Sequence, residues 1–271
     1  MQAIINIPIC PLKSSPAAAS LEDEVLFGME VELTGPAQDG WQPVRTHYRY
    51  EGLVPESALV TDPALVERWQ AADKRVVLHK HCADVLAEPK VQGAFVEQAL
   101  PMGARLAISG PAADGWQPVR LPDGCTGYVC ASFLDTLWES PCAQGYALRQ
   151  ALTDTARLYA GTQYRWGGKS PAGIDCSGLC SMAYMLCGIN IYRDAAIQPG
   201  FPIHEIPLSE MREGDLIYFP GHIAMYLGDG LYIHSTGRAG DNGVTINSFF
   251  AEHPLYRADL PSQITAVGSF F

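Results

Sequence analysis

The strongest constraint on this chain is a repeat. GPAQDGWQPVR at 35–45 returns as GPAADGWQPVR at 110–120, and only Gln38 against Ala113 differs. The 75-residue offset holds beyond that match. Gly28 pairs with Gly103, and Gly52, Val54, Ser57 and Leu59 pair with Gly127, Val129, Ser132 and Leu134. A solenoid needs at least three stacked units, so two copies predict two tandem small domains. In each copy an Asp-Gly pair makes a hairpin turn and Trp-Gln-Pro-Val-Arg reads as the next strand; Glu30-Val31-Glu32-Leu33, with its polar/apolar alternation, reads as the strand before it in the first copy. GLVPESAL and GYVCASFL read as a last strand running into a short helical turn.

Five or so strands within about 60 residues predict a small β-barrel in each copy. The "DGW..V" strand and the "G.V....L" ending resemble bacterial SH3-like (SH3b) domains. Trp41 and Trp116 read as barrel core. Residues 61–74, TDPALVERWQAADK, have the Pro start and composition of a linker helix. From Gln144 the texture changes: Leu148, Leu152, Ala156 and Tyr159 recur at helical spacing until Gly161 stops the run. The predicted division is an SH3b-like domain at 1–62, a linker helix at 63–73, a second SH3b-like domain at 74–138 and a third domain at 143–271. The fold class is α+β.

Charged residues are 17% and hydrophobic ones 48% of the 271, enough for packed interiors. The net charge of −11 argues against nucleic acid or an anionic membrane surface as a partner. No apolar run approaches the roughly 20 residues of a membrane span. MQAIINIPICPLKSSP lacks the order of a secretory signal and reads as a first strand, so the expected location is the cytoplasm unless a leader has been removed. The eight cysteines then read as reduced thiols. No His/Cys spacing fits a zinc site, and neither a metal nor another cofactor is expected.

The chemistry concentrates around GIDCSGLC at 173–180. The Gly- and Pro-rich stretch before Cys176 reads as loop and CSGLCSMAYMLCG after it as helix, so Cys176 opens a helix. The free N–H groups and dipole there favour a thiolate, and Ser177 with those N–H groups can stabilise an oxyanion. Gly178 lets another backbone approach. A base is available downstream, where REGDLIYFPGHIAMYLGDGLYIHSTG holds three strand-like runs. His222 opens one run and His234 closes the next; a turn at Gly228-Asp229-Gly230 brings both to one end of a hairpin. A Cys–His–His row follows, with the second imidazole orienting the first. Cys180 and Cys187 read as core residues, and Cys125 and Cys130 as unbridged.

The order "Y.WGG....GIDCSG", "R[DE]...Q", "GD...F" and "H....Y.G.G..IH" over residues 143–271 resembles the NlpC/P60 cysteine peptidases, a papain-like fold. With two SH3b copies in front, the whole chain resembles the γ-D-glutamyl-L-diamino acid endopeptidases of that family. The resemblance implies cleavage of the γ-D-Glu–diamino acid bond in small peptidoglycan-derived peptides with a free N-terminal L-Ala. It implies Cys176 as nucleophile, His222 as general base and His234 as the orienting residue. Tyr164 reaches the active site, and Asp175, Asp194, Tyr50 and Glu22 serve the substrate's ammonium, with Asp23 and Glu24 competing for the place of Glu22. Two other readings stand beside it: an amidase or acyltransferase using the same Cys–His pair, and a module that binds wall polymer. The diamino acid and the oligomeric state are not legible.

Overall fold

The computed structural model of the chain describes residues 1–271. Each copy of the repeat folds into seven strands joined in one order. The first holds β1 (Gln2–Ile5), β2 (Ile9–Leu12), β3 (Asp23–Leu26), β4 (Glu30–Leu33), β5 (Trp41–Thr46), β6 (Glu51–Pro55) and β7 (Leu59–Val60). After α1 (Pro63–Gln70) the second holds β8 (Lys74–Val77), β9 (Cys82–Leu86), β10 (Val96–Pro101), β11 (Arg105–Ile108), β12 (Trp116–Arg120), β13 (Thr126–Cys130) and β14 (Leu134–Thr136). The second copy is one sheet of order β10-β9-β13-β12-β11-β8-β14. The first repeats it as a β6-β5-β4-β1-β7 sheet, to which the β2-β3 hairpin is joined through the Lys13↔Leu53 bridge beside β6.

Local chemistry explains the repetition. Asp39 (φ 50°) and Gly40 (φ 78°), like Asp114 (φ 50°) and Gly115 (φ 81°), take the left-handed pair of a tight hairpin turn. Asp-Gly supplies that pair at little steric cost. Where the two hairpins of a copy cross, a Cβ on Gly52 would lie 2.9 Å from the Lys13 carbonyl, and one on Gly127 would lie 2.9 Å from the Leu86 carbonyl. Only glycine fits without a shift.

Two expectations are corrected. Neither sheet closes into a barrel: the strand orders have free ends, and the terminal strands β7 and β14 are two and three residues long, too short to carry a closing ladder. Nor are Trp41 and Trp116 core residues. Along β5 the buried side chains are Gln42, Val44 and Thr46, and along β12 only Val119 is buried, so alternation leaves both indoles half-buried on the other face. The Lys13 ammonium lies 5.6 Å from the Trp41 ring centroid.

Asp62 caps α1 by accepting the N–H groups of Ala64 and Leu65, and Pro63 takes the first helical position. The helix stops at Gln70, short of the 61–74 read from composition. Its Val66 and Trp69 bury against Ile4 of the first copy and Ala107 of the second. Phe27 of the first copy also enters the core formed by Val77, Leu100, Leu106 and Val119 of the second. Residues Met1–Leu137 thus make one unit, and Trp138–Phe271 make another.

The second unit holds α2 (Gly145–Arg157), β15 (Lys169–Ser170), β16 (Gly173–Ile174), α3 (Cys176–Leu186), β17 (His204–Ile206), β18 (Leu216–Phe219), β19 (His222–Gly228), β20 (Leu231–Thr236), β21 (Gly243–Ser248) and β22 (Ala266–Ser269). Its sheet is antiparallel in the order β17-β22-β18-β19-β20-β21. Leu148, Leu152, Ala156 and Tyr159 are buried as their spacing predicts, although the helix itself ends at Arg157 and the chain reaches Gly161 through turns. Every residue of α3 is buried, which is how a helix apolar on all sides must sit. No helix is long and apolar enough to cross a membrane.

Candidate active site

Cys176 is the first residue of α3, and Asp175 is its cap. The Asp175 Oδ1 accepts the Gly178 N–H at 2.6 Å, and Oδ2 accepts the Gly167 N–H at 2.8 Å. One carboxylate therefore ties the WGG loop to the helix start. The fit is close: a Cβ on Gly178 would meet the Gly168 carbonyl.

Arg193, which follows α3 in the chain, completes this knot. Its guanidinium is buried and grips Asp175 with both forks, Nη1 to Oδ1 at 3.0 Å and Nη2 to Oδ2 at 3.1 Å. Nη1 also donates to the Ser177 hydroxyl at 2.8 Å, and Nη2 to the Gly168 carbonyl at 3.3 Å. The Ser177 hydroxyl in turn reaches Asp175 at 3.3 Å. A carboxylate has about four lone-pair sites, and those of Asp175 are filled. It has none left for a substrate ammonium, the part the resemblance implies for it. Ser177 likewise turns its hydroxyl inward, leaving its backbone N–H toward the Cys176 sulfur.

The sulfur of Cys176 also accepts the N–H of Ile223, the residue after His222, which sets it beside the start of β19. His222 Nε2 lies 2.7 Å from His234 Nδ1, and His234 Nε2 lies 2.8 Å from Asn247 Oδ1. The β20–β21 register places Asn247 opposite Tyr232, diagonal to His234 on the same face. Tyr164 bridges to Ile174 beside the nucleophile's loop, and its ring lies against Gly237. Burial, then the nearby Cys176 and Asp175, push its hydroxyl up to about 12.

Electrostatics depart from the sequence reading in one respect. The helix N-terminus is expected to lower the Cys176 pKa, yet burial and the adjacent Asp175 carboxylate push it up to about 11 against the pull of the Ile223 N–H and Arg193. Burial also lowers His222 to about 3 and His234 to about 4. Burial thus works against the charged form of all three groups.

Three sequence candidates remain, Asp194, Glu22 and Tyr50. Asp194 is half-buried and bonds the Tyr192 hydroxyl. Glu22 and Tyr50 belong to the first unit. Glu22 is half-buried just before β3; Asp23 and Glu24, its competitors, are buried, and Asp23 accepts the Tyr48 hydroxyl at 2.5 Å. Tyr50 is half-buried at the β5–β6 turn, and its N–H bonds the Thr46 hydroxyl. Two site residues were not singled out by sequence, Arg193 and Asn247. Arg193 opens the R[DE]...Q motif, which gives it no role of its own, and nothing local marks Asn247.

Comparison with known proteins agrees with this geometry. The NlpC/P60 family profile matches residues 161–257, from the loop before Cys176 through both histidines and Asn247. The chain is 41% identical to the dipeptidyl-peptidase 6 of Lysinibacillus sphaericus, over the whole of both chains. It is 27% identical to a gamma-D-glutamyl-L-lysine dipeptidyl-peptidase of Bacillus cereus, across 80% of this chain and 68% of the relative. A crystal structure of an NlpC/P60 family protein from Bacillus cereus shares the fold, with a TM-score of 0.81 at 21% identity over 100% of this chain and 99% of that one. The chain is a peptidase and belongs to the NlpC/P60 family.

Proposed function

We propose that the protein is a cysteine peptidase that hydrolyses the γ-D-glutamyl–diamino acid bond of small peptidoglycan-derived peptides carrying a free N-terminal L-Ala. The observation that carries the reading is the row of Cys176 on the Ile223 N–H, His222 beside it, and His234 at 2.7 Å behind. The names of the relatives, a dipeptidyl-peptidase 6 and a gamma-D-glutamyl-L-lysine dipeptidyl-peptidase, support the substrate class.

In this reading Cys176 attacks the γ-glutamyl carbonyl while its proton passes to His222. The Cys176 N–H, a first-turn donor outside the Asp175 cap, holds the oxyanion. His222 then protonates the leaving amine, and a water that it deprotonates releases the dipeptide from the thioester. Tyr164 lines the site. The resemblance, rather than any distance, gives Glu22, Tyr50 and Asp194 contacts to the ammonium, and gives the two copies of the first unit the standing of SH3b domains at 1–62 and 74–138, linked at 63–73. A site that pairs a buried ammonium rejects blocked peptides because its acids would be left without partners. Eight free thiols suit a reducing compartment, and the proposed setting is cytoplasmic peptide recycling.

The test is mass spectrometry of L-Ala-γ-D-Glu-meso-diaminopimelate and its N-acetylated twin after incubation with the full chain under reducing conditions. Release of L-Ala-D-Glu from the free peptide alone is expected. Equal cleavage of both would remove the ammonium contacts, and cleavage of neither would remove the substrate assignment.

A further inference from the structure

The row of buried polar groups does not end at His234, and its far end dictates the near one. The Asn247 Nδ2 donates to the Leu255 carbonyl at 3.2 Å, an oxygen that also accepts the Ser248 N–H at 2.9 Å. A carbonyl can only accept, so the amide has one workable orientation, with its NH2 on Leu255 and Oδ1 toward His234. Oδ1 in turn can only accept. The 2.8 Å contact therefore requires a proton on His234 Nε2.

A neutral imidazole carries one N–H. With Nε2 protonated, His234 Nδ1 is an acceptor, and the 2.7 Å contact requires that His222 Nε2 donate to it. His222 Nδ1 is then the bare nitrogen. Of the two ring nitrogens Nδ1 lies nearer the ring's own backbone, and the Cys176 sulfur rests on the next backbone N–H, that of Ile223. We infer that Asn247 is a positioning residue that fixes the tautomers of His234 and His222 in series, and so makes His222 Nδ1 the atom that takes the thiol proton. The inference rests on the peptidase reading only for its kinetic consequence. When His222 accepts that proton, its Nε2–H stays on His234 and neither ring has to turn.

The charged and ring groups facing the two imidazoles are few. From α3 comes Cys176. From the sheet come the Tyr232 ring, 5.2 Å from that of His234, and the Phe219 ring, 5.7 Å from that of His222. From the segment after β21 comes Arg257, held by Asp259 at 2.9 and 3.0 Å; its charge lowers both imidazoles and that of Asp259 opposes it. No carboxylate touches either ring, so the row ends on a neutral amide rather than on an acid.

The experiment is nitrogen-15 imidazole spectroscopy of the full chain at neutral pH, joined to the pH profile of kcat/KM on L-Ala-γ-D-Glu-meso-diaminopimelate. Both rings are expected as Nε2–H; either one found as Nδ1–H overturns the inference, and this readout needs no turnover. Asn247→Asp keeps the acceptor and adds a buried charge that favours the imidazolium. Its tautomers should match the wild type while the acid limb of kcat/KM moves up by about one pH unit or more, because the base is then protonated at higher pH. An unmoved limb contradicts the coupling. Asn247→Leu removes the acceptor and should lower kcat by about 100-fold with KM nearly unchanged, as expected when a base is held in the wrong tautomer or loses its outer support; a wild-type kcat contradicts it. If that variant does not fold, the wild-type spectrum and the Asp variant decide. A chain that leaves the peptide intact yet shows two Nε2–H rings refutes the substrate assignment and leaves the tautomer order standing.

Discussion

The two copies in the first unit share a strand order and a tight turn, yet they differ in the side chains on β3 and β10 and at the β5–β6 and β12–β13 turns. At the 75-residue offset, Asp23, Glu24, Tyr48 and Tyr50 of the first copy face Gln98, Ala99, Asp123 and Cys125 of the second. In the first copy Asp23 is buried under the Tyr48 hydroxyl, whereas Asp123 is exposed and caps its own turn by accepting the Cys125 N–H at 2.9 Å. The positions that repeat are those that backbone geometry requires, such as Gly52 with Gly127 and the Asp-Gly turns. Among the positions that diverge, the first copy buries an acid under a tyrosine hydroxyl and the second sets an exposed acid in its turn. The two copies share a scaffold, and only the first buries polar groups at these positions.

That contrast can be broken at the scaffold first. Gly52→Ala and Gly127→Ala should each cost about 3 kcal/mol in thermal unfolding, the upper end for forcing atoms into a filled interior. A neutral result at either position would end the claim that the copies cross their hairpins in the same way. Next, Tyr48→Phe should cost about 2 kcal/mol, because a buried carboxylate loses a hydrogen bond. Asp123→Ala at the matching place should change stability by less than about 1 kcal/mol. Equal losses would erase the difference between the copies. The smallest effect is kinetic: under the proposed ammonium contact, Tyr50→Cys, which installs the residue of the second copy, should raise KM for the free peptide about tenfold, the loss expected for one hydrogen bond to a charged group. Cys125→Tyr should leave KM as it was, and a matching rise there would assign the ammonium contact to neither copy.

Legibility followed the range of the interactions. Turns, the repeat and the helix opened by Cys176 depend on residues a few places apart, and all were readable. Both histidines were readable because one short hairpin joins them. Arg193 and Asn247 were not, since each acts on a partner 18 or 13 positions away whose approach only the packed loops create. The electrostatics of Cys176 divide in the same way. The helix end is local and visible, while the burial that outweighs it comes from the whole unit. Barrel closure failed because strand count was legible and strand length at the edges was not.

The central claim, a thiol-dependent peptidase built on Cys176, is tested most directly by comparing the wild type with Cys176→Ala on L-Ala-γ-D-Glu-meso-diaminopimelate, following L-Ala-D-Glu by mass. The account predicts a loss of turnover on the order of 10⁶-fold in a variant that melts like the parent. Continued release of the dipeptide by Cys176→Ala would contradict it.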